Sequence, residues 1–364
     1  MLLLDRKVFF WTQFSLLLII TTGLVPFWSY FIPVLLGVIV LIANIFTRGY
    51  RIDSVVIFFA IFILFFFVRS FYNNLLLSID FYKDLAALLY NFGMVYYLRN
   101  YQISSKGIRN IIVLFYVIIA IFFLSIALGQ SSIEVVSLLF RNSSYHFVSW
   151  VTLLLFGLCV RSNPSSYQHL ALLFFTMSIL LGGRTGIYIS FCILAFGVII
   201  KTDRKNNDSF IKLMFVALIG LFYSFFLYGY DVFGDAGIRK FGLGPREFVW
   251  ACYFDYLNFE TFVFGFSKNE VSDCVSVFID RVSLESSWFN LQILTGFGSI
   301  ILVIFILRHF LSLFSNNKPL FVIVLSLIFR TITGEFVFLG VFDWLFLILI
   351  FPTKKSEKYL FKAV

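Results

Sequence analysis

Long apolar runs separated by short polar segments extend over most of the 364-residue sequence. A membrane-spanning helix needs about 20 predominantly apolar residues, and twelve stretches approach that length. We place the predicted spans at residues 8–25, 27–46, 54–68, 84–98, 110–128, 146–160, 169–182, 186–200, 210–229, 285–307, 319–333 and 335–351. Some neighbouring stretches run together, so about 10 to 13 spans fit the pattern. The sequence predicts an all-α polytopic membrane protein in which residues 1–364 form a single integral membrane domain.

The composition excludes most soluble classes of protein. Hydrophobic residues make up 61% of the chain and charged residues 13%, whereas soluble domains average about 45–50% apolar and about 25% charged residues. A water-soluble fold of this length could not bury so much apolar surface. We therefore exclude a cytosolic enzyme and expect no nucleic acid among the partners, despite a formal net charge of +9.

The distribution of basic residues orients the predicted spans. With a cytoplasmic N-terminus, the inner segments hold 18 of the 28 Lys and Arg residues and 5 of the 19 Asp and Glu residues. Loops rich in Lys and Arg stay on the cytoplasmic side, so this asymmetry predicts that both termini are cytoplasmic. Arg6 and Lys7 precede the first span, which has no small-x-small cleavage site and is expected to be a retained helix rather than a signal peptide.

One long hydrophilic segment, residues 230–284, separates the ninth and tenth spans on the predicted outer, periplasmic side. Long loops of this kind often carry substrate-binding structure. Pro245 can begin a helix, and residues 245–259 are predicted to form an amphipathic helix at the membrane surface. A solvated basic loop is the alternative. Cys252 and Cys274 both lie in this segment, where an oxidising compartment would permit a disulfide.

The sequence lacks the motifs of several common classes of enzyme. The chain contains no GxxxxGK[ST] phosphate loop, no Asp-x-Asp pair and no Gly-x-Ser-x-Gly elbow. His146, His169 and His309 have no partners at zinc-ligand spacing, and we interpret them as interfacial residues. We therefore expect neither a metal ion nor a cofactor, and we expect arginines, carboxylates and tyrosines to supply the chemistry.

Arg184 lies in the segment Leu-Gly-Gly-Arg-Thr-Gly-Ile-Tyr, residues 181–188, a tight junction between two spans at the predicted outer face. Glycines let the backbone turn sharply, a following helix presents the positive end of its dipole, and arginine binds phosphate through two hydrogen bonds. The segment therefore predicts a pyrophosphate site. The alternative is an arginine that extends to the lipid headgroups.

Further charged residues on the predicted outer side are candidates for binding or catalysis. In the long loop, Arg239 lies upstream of the predicted helix and Arg246 at its start, and Arg281 flanks the return into the membrane. Glu285 begins the tenth span, where it can either cap the helix or act in catalysis. Arg330 lies in the eleventh span.

Charges inside a membrane usually pair or line a polar cavity. Two interpretations of Arg330 therefore stay open. The first is an ion pair with Glu335 or Asp343, and the second is a direct contact with substrate.

Three segments together resemble the O-antigen polymerase and O-antigen ligase superfamily of bacterial surface-polysaccharide assembly. Leu-Gly-Gly-Arg-Thr-Gly at residues 181–186 is similar to the family's Ser-Arg-x-Gly motif, with glycine in place of the serine. Arg-Glu-Phe-Val-Trp at 246–250, followed by Phe-Gly-Phe at 264–266, is similar to its large-loop pattern of Arg, Trp and a later Gly-x-Gly. Glu-Ser-Ser-Trp-Phe-Asn-Leu-Gln-Ile-Leu and the two glycines that follow, within residues 285–298, resemble its loop-exit helix.

The resemblance implies a GT-C-like membrane fold and a glycosyltransferase. The ligase branch has a histidine at the loop exit where this chain has Ser287, which favours the polymerase branch and leaves the identity of the base open. The growing chain would pass from undecaprenyl diphosphate to the end sugar of a new lipid-linked repeat unit, at the periplasmic face of the bacterial inner membrane. The implied partners are undecaprenyl-diphosphate-linked oligosaccharides and membrane lipid, and a polysaccharide chain-length regulator stays open.

This interpretation assigns roles to the candidate residues. Arg184 and Arg246 would stabilise charge that develops on the diphosphate leaving group, so that no metal is implied. Glu285 would accept the proton of the acceptor hydroxyl or orient that hydroxyl. The other candidates would bind the diphosphate or stack on sugar rings: Arg239, Arg281, Arg330, Tyr188, Trp250, Tyr253 and Trp288.

Two other functions fit part of the pattern. A flippase for lipid-linked oligosaccharides, or another secondary transporter, suits twelve spans with intramembrane Arg330 and Asp343. The long outer loop and the lack of an internal repeat weigh against it. An integral acyltransferase would need a suitably placed histidine, which the chain lacks.

Overall fold

A computed structural model describes residues 5–21, 31–48, 53–129, 135, 145–181, 184–202, 253–266, 287–332 and 343–351. The described residues form helices and turns and contain no strand, as the all-α prediction requires. The helices are α1 (Arg6–Thr21), α2 (Phe31–Arg48), α3 (Ser54–Tyr72), α4 (Ile79–Leu98), α5 (Ser105–Ala127), α6 (Tyr145–Ser162), α7 (Tyr167–Leu181), α8 (Arg184–Thr202), α9 (Phe259–Phe264), α10 (Ser287–Thr295), α11 (Gly298–Asn316), α12 (Lys318–Ile332) and α13 (Asp343–Ile350).

Three of the described helical segments are long and apolar enough to cross a membrane. They are Ser54–Tyr72, Ser105–Ser125 and Gly298–Asn316. Shorter apolar helices occur where other spans are predicted, among them Phe147–Ser162 and Gly186–Gly197. The ninth predicted span, residues 210–229, lies outside the described residues, so the count of twelve stays a prediction.

The tenth predicted span is wrong in its bounds. The sequence predicts one helix over residues 285–307, but two helices, α10 and α11, occupy this region. Gly296 separates them with a backbone φ of +53°, a left-handed conformation that interrupts a right-handed helix. The helix long enough to cross a membrane is therefore α11, which begins at Gly298 and continues to Asn316.

The amphipathic helix predicted for residues 245–259 is also wrong at its C-terminal end. Residues 253–256 are helical, residues 257–258 are not, and a new helix, α9, begins at Phe259. The side chain of Asn258 accepts a hydrogen bond from Thr261 N, and Thr261 Oγ1 accepts one from Asn258 N, each at 2.9 Å. This reciprocal capping box marks a helix start, which is why the chain does not continue as one helix.

Helices α3 and α4 form an antiparallel hairpin closed by an ion pair. The Asp53 carboxylate caps α3 by accepting from Val55 N at 3.1 Å and Val56 N at 3.2 Å. The same carboxylate pairs with the buried Arg99, which follows α4. We call this end of the bundle the Asp53 end, and the charge distribution predicts that it faces the cytoplasm.

The core surrounds α13, whose eight residues are all buried. This short helix contacts α4, α6, α11 and α12. Asn91 of α4 accepts a hydrogen bond from Trp344 N at 2.9 Å, and the Arg161 guanidinium donates to the carbonyl oxygens of Ile348 and Arg99. Polar side chains thus satisfy backbone groups that apolar neighbours would leave unpaired.

The C-terminal ends of α3 and α12 lie at the opposite end of the bundle. Arg69 lies in the last turn of α3 and Arg330 in the last turn of α12. A Cβ on Gly298, the first residue of α11, would lie 2.2 Å from the Phe65 ring of α3, so α11 starts beside the last turns of α3. Because α11 and α12 are joined at Asn317 and run antiparallel, Arg330 lies at this same end. We call it the Arg330 end, and it is the predicted outer end.

Candidate functional site

Arg330 is buried among three helices at the Arg330 end. Its side chain is 2% exposed, and Nη1 donates a hydrogen bond to Ser149 Oγ of α6 at 3.1 Å. Ser149 is itself 3% exposed. A guanidinium cannot lose its charge under ordinary conditions, so this arrangement places a permanent cation inside the helix bundle.

Gly186, in the first turn of α8, packs directly against this cation. A Cβ at Gly186 would lie 3.0 Å from Ser149 Oγ, 3.6 Å from Arg330 Nη1 and 3.8 Å from Ser178 Oγ. Because glycine lacks a side chain, the backbone of α8 can approach these polar atoms closely. We call Ser149, Ser178, Gly186 and Arg330 the Arg330 cluster.

The Ser178 hydroxyl gives the Arg330 cluster an available polar group. Ser178 is 1% exposed, and Oγ has no hydrogen-bond partner among the described residues. A buried hydroxyl without a partner carries a desolvation cost. A ligand oxygen that reached the cluster would relieve that cost.

The electrostatics of the Arg330 cluster favour an anion. The first turn of α8 contains no acidic residue, so the positive end of its helix dipole is not compensated within that turn. This partial charge adds to the full charge of Arg330. A cation, a helix N-terminus and a hydroxyl donor together form the kind of arrangement that binds phosphate.

Arg184 is the first residue of α8, two positions before Gly186. The structure therefore brings two sequence candidates, Arg184 and Arg330, to neighbouring helix ends although they are far apart in the chain. Tyr188, on the first turns of the same helix, is 41% exposed. Of the residues predicted to pair with Arg330, Asp343 is buried at the start of α13 and Glu335 lies outside the described residues.

A second polar arrangement at the Arg330 end fixes part of the long loop. Arg69 of α3 donates to the Phe266 carbonyl oxygen from Nε at 3.3 Å and from Nη2 at 3.0 Å. Arg69 is 7% exposed and Phe266 is 1% exposed. The buried fork thus holds residues 253–266 against the end of α3. We call residues 253–266 the docked segment.

Two glycines let the docked segment approach α10 at van der Waals distance. Gly265 has φ +80° and Gly296 has φ +53°. A Cβ on Gly296 would lie 2.1 Å from Val263 O and 2.7 Å from Gly265 N, and Phe297 N donates to Val263 O at 3.0 Å. The loop motif around Gly265 and the loop-exit motif around Gly296 are therefore in direct contact.

Tyr253 is a structural residue of the docked segment. Its ring stacks on Phe266 and Phe289, with centroids 5.0 and 4.5 Å apart. Its hydroxyl donates to Gln292 Oε1 at 2.9 Å, and Gln292 Nε2 donates to Thr261 O at 3.0 Å. The prediction that Tyr253 stacks on a sugar is wrong, because its side chain is only 4% exposed. Burial raises the pKa of its hydroxyl.

Several sequence candidates lie outside the described residues, and their positions stay predictions. They are Arg239, Arg246, Trp250, Arg281 and Glu285, together with the cysteine pair Cys252 and Cys274. Glu285 precedes by two positions Ser287, the fully buried first residue of α10. Among the described residues, no group of three or more His, Cys, Asp or Glu side chains could hold a metal ion.

Sequence reasoning missed three of the polar residues at this end. Arg69 is one of the ten basic residues that the predicted topology places outside the inner segments, and this position could have identified it as a candidate. Ser149 and Ser178 lie in apolar helices, where a serine commonly bonds to its own helix backbone. Only the packing of α6, α7 and α8 around Arg330 distinguishes them.

Within the part of the chain that the structure describes, these features define an all-helical arrangement with three candidate membrane-spanning helices and a buried cationic cluster at one end. No protein-family model matches the chain, and no curated protein and no solved structure shows significant similarity to it.

Proposed function

We propose that the chain is a twelve-span inner-membrane glycosyltransferase with a GT-C-like fold. It would polymerise undecaprenyl-diphosphate-linked oligosaccharide repeat units into O-antigen or a related surface polysaccharide. The resemblance of residues 181–186, 246–250, 264–266 and 285–298 to the O-antigen polymerase and ligase superfamily motivates this proposal.

The Arg330 cluster is the observation that carries the proposal. A diphosphate leaving group needs positive charge and hydrogen-bond donors at the membrane interface. Arg330, the Ser178 hydroxyl and the N-terminus of α8 supply these at the predicted outer end, and Arg184 begins the same helix. The segment that predicts a pyrophosphate site from sequence is thus the segment packed against the buried cation.

The proposed step is a glycosyl transfer between two lipid-linked chains. The hydroxyl oxygen of the acceptor sugar attacks the anomeric carbon of the growing chain and forms the new glycosidic bond. The bond from that carbon to the diphosphate oxygen breaks, and undecaprenyl diphosphate leaves with the electron pair. Arg184, Arg246 and Arg330 would stabilise the leaving group, and Glu285 would accept the hydroxyl proton.

The docked segment supports a role for the long loop in this reaction. It ties the loop to α3 through Arg69 and to α10 through the contact between Gly265 and Gly296. Glu285 lies two positions before Ser287, the first residue of α10. Arg246 precedes the docked segment by seven residues, so a fixed docked segment would restrict how far Arg246 can move from the Arg330 end.

A direct test uses the full-length protein, purified in detergent, with lipid-diphosphate-linked repeat units. We expect a ladder of longer lipid-linked chains without added nucleotide or metal. Failure to extend the chains under conditions in which the substrates stay intact would contradict the proposed activity.

Site variants test the assignment within this assay. Arg184→Lys and Arg330→Lys keep the charge and lose the guanidinium fork, and each should slow chain extension about 100-fold, as removal of a transition-state hydrogen-bond donor does. Arg246→Ala should also slow the reaction. Arg308→Lys is the matched control, because Arg308 is exposed and lies ten residues after Gly298, the first residue of α11, which starts at the Arg330 end. Wild-type rates for Arg184→Lys, Arg246→Ala and Arg330→Lys would overturn the phosphate-binding assignment.

A flippase is the second candidate function. Buried Arg330 and Asp343 favour it, because charges inside a bundle can line a translocation path. Movement of intact lipid-linked units across reconstituted vesicles, without any increase in chain length, would support the flippase and exclude the polymerase.

A further inference from the structure

A polar cleft lies between the starts of α1 and α5, at the Asp53 end of the bundle. Its volume is about 230 Å³, and Lys7, Trp11, Ser104, Lys106, Gly107 and Asn110 line it. Drug-sized ligands occupy pockets of about 300–1,000 Å³. The smaller volume of this cleft suits a single charged headgroup.

The charge of the lining residues favours an anion. Lys7 and Lys106 are the charged side chains that line the cleft, and both are exposed. Each lies in the first turn of its helix, and neither first turn contains an acidic residue. A cation at a helix N-terminus opposes the helix dipole, so an anion between the two lysines would relieve an unfavourable arrangement. The nearby carboxylate of Asp5 accepts a hydrogen bond from Lys7 N at 3.1 Å.

The remaining lining residues complete a headgroup site. Asn110 offers an amide N–H donor one turn after Lys106, and Ser104 caps α5 by accepting from Gly107 N at 3.2 Å. Gly107 has no side chain to fill the space beside Trp11, whose ring would lie 3.3 Å from a Cβ there. Tryptophan is common at the depth of lipid headgroups.

The surface of α5 beyond the cleft is apolar and exposed. Lys106, Asn110, Val113 and Val117 follow one another at intervals of four, three and four residues, so they share one face of the helix. Val113 is 53% exposed and Val117 is 49% exposed. A ligand that binds here therefore meets positive charge at one end and an apolar stripe along the helix.

We propose that this cleft binds the phosphate of an anionic phospholipid, with the acyl chains along the exposed stripe of α5. A free phosphate ion has the same charged group as the lipid headgroup, but it has no acyl chain to contact the apolar stripe. Basic pockets between helices at a membrane surface recognise lipid headgroups in this way. The site lies at the end of the bundle opposite the Arg330 cluster and does not depend on the proposed glycosyl transfer.

An equilibrium titration of the purified full-length protein with dioctanoyl-phosphatidylglycerol tests the proposal. Dioctanoyl-phosphatidylcholine and inorganic phosphate are the two comparison ligands. We expect phosphatidylglycerol to bind more tightly than both. Equal binding of the two lipids would show that the anionic headgroup is not recognised, and equal binding of inorganic phosphate would overturn the assignment to a lipid.

Lysine variants locate the binding. Lys7→Gln with Lys106→Gln should weaken phosphatidylglycerol binding about 25-fold, about fivefold for each lysine. Lys7→Arg with Lys106→Arg should retain it. Lys83→Gln is the control, because Lys83 is 69% exposed on α4 and pairs with Asp80 at 3.6 Å, away from the cleft. Unchanged affinity in the double glutamine variant would place the lipid elsewhere and overturn the proposal.

Discussion

A side chain's burial decides what a basic residue can do in this protein. Arg330 and Arg308 are both arginines in apolar helices, yet Arg330 is 2% exposed and bonded to Ser149 while Arg308 is exposed. The sequence identifies Arg330 as unusual from its position inside a predicted span. It does not identify Ser149 as the partner, because 181 residues separate the two.

The tight packing of Gly186 within the Arg330 cluster predicts the effect of a single substitution. In Gly186→Ala the new methyl group would lie 3.0 Å from Ser149 Oγ, so the hydroxyl must shift and weaken its bond to Arg330. We expect a loss of about 1 kcal/mol in stability, less than the complete contribution of a hydrogen bond to a charged group, which is about 1.5–3 kcal/mol. Thermal unfolding of the purified protein measures it.

A double-mutant cycle separates this effect from general strain. Ser149→Ala removes the same hydrogen bond and also the crowded hydroxyl, so adding Gly186→Ala to it should cost little more. The two substitutions should therefore be strongly non-additive. Additive losses would show that Gly186 and Ser149 act independently.

Tyr253 provides a pH-dependent prediction. Burial raises the pKa of its hydroxyl above the usual value of about 10. The docked state therefore keeps its full stability at neutral pH and loses stability as the pH rises above about 10, where the undocked phenol ionises first. Limited proteolysis of the docked segment at about pH 7 and about pH 10.5 measures this loss.

Tyr253→Phe should weaken the attachment of the docked segment at neutral pH, and it should reduce the further loss of attachment at alkaline pH. The substitution removes the hydrogen bond to Gln292 and costs about 1 kcal/mol, but it leaves no group to ionise at this position. Tyr256→Phe is the control, because Tyr256 is 38% exposed. If both variants show the alkaline sensitivity of the wild type, the buried phenol is not its source.

At the scale of elements, the helices follow the apolar runs but their breaks depend on single residues. The run over residues 285–307 contains glycines that are compatible with one continuous helix or with two. Gly296 has a left-handed backbone, and its N–H donates to Gln292 O at 2.7 Å, as at a glycine that ends a helix. The docked segment fills the space beside it, with Val263 O 2.1 Å from the position of a Cβ. The break therefore combines a glycine that ends α10 locally with a tertiary contact that leaves no room for a side chain at this position.

Gly296→Ala should therefore detach the docked segment from α10. Gly129→Ala is a matched control, because Gly129 also has a positive φ, +84°, but has no atom within 4 Å of its Cβ position. Both alanines carry left-handed strain of about 1–2 kcal/mol, whereas only Gly296→Ala adds a backbone clash. Faster proteolysis at residues 253–266 should occur in Gly296→Ala alone, and equal rates in the two variants would contradict the contact.

For the whole molecule, opposite ends of the bundle carry different polar groups. The ion pair of Asp53 with Arg99 lies at one end, and Arg69 and Arg330 lie at the other. The positive-inside rule predicts which end is cytoplasmic, and the hairpin of α3 and α4 predicts that the turn between them is on the far side.

Cysteine labelling of intact cells tests this orientation. In a cysteine-free background, Leu77→Cys should react with a membrane-impermeant maleimide from outside, because Leu77 is 92% exposed in the turn between α3 and α4. Ser104→Cys, exposed just before α5, should react only after permeabilisation. Labelling of both positions from the same side would refute a membrane-crossing α4, and a reversed pattern would invert the topology.

Much of the fold is contained in local sequence information. Apolar runs of about 20 residues specify helices because an unpaired backbone cannot be accommodated in lipid. Asp53 and Asn258 mark helix starts because their side chains bond to the first free amide groups. The glycine-rich segment around Arg184 likewise identifies a helix start and a candidate anion site from its residue types alone.

The composition of the site depends on distant parts of the chain and needs the folded bundle. Arg330, Ser149 and Ser178 meet at Gly186 only because α6, α7, α8 and α12 pack together. In the same way, Arg69 donates a hydrogen bond to the carbonyl oxygen of Phe266, 197 residues away, and Gly265 contacts Gly296. The local sequence determines the helices, their caps and the positive charge of the candidate site. Which distant residues contact each other depends on which helix faces are buried against each other, and the tertiary structure decides that.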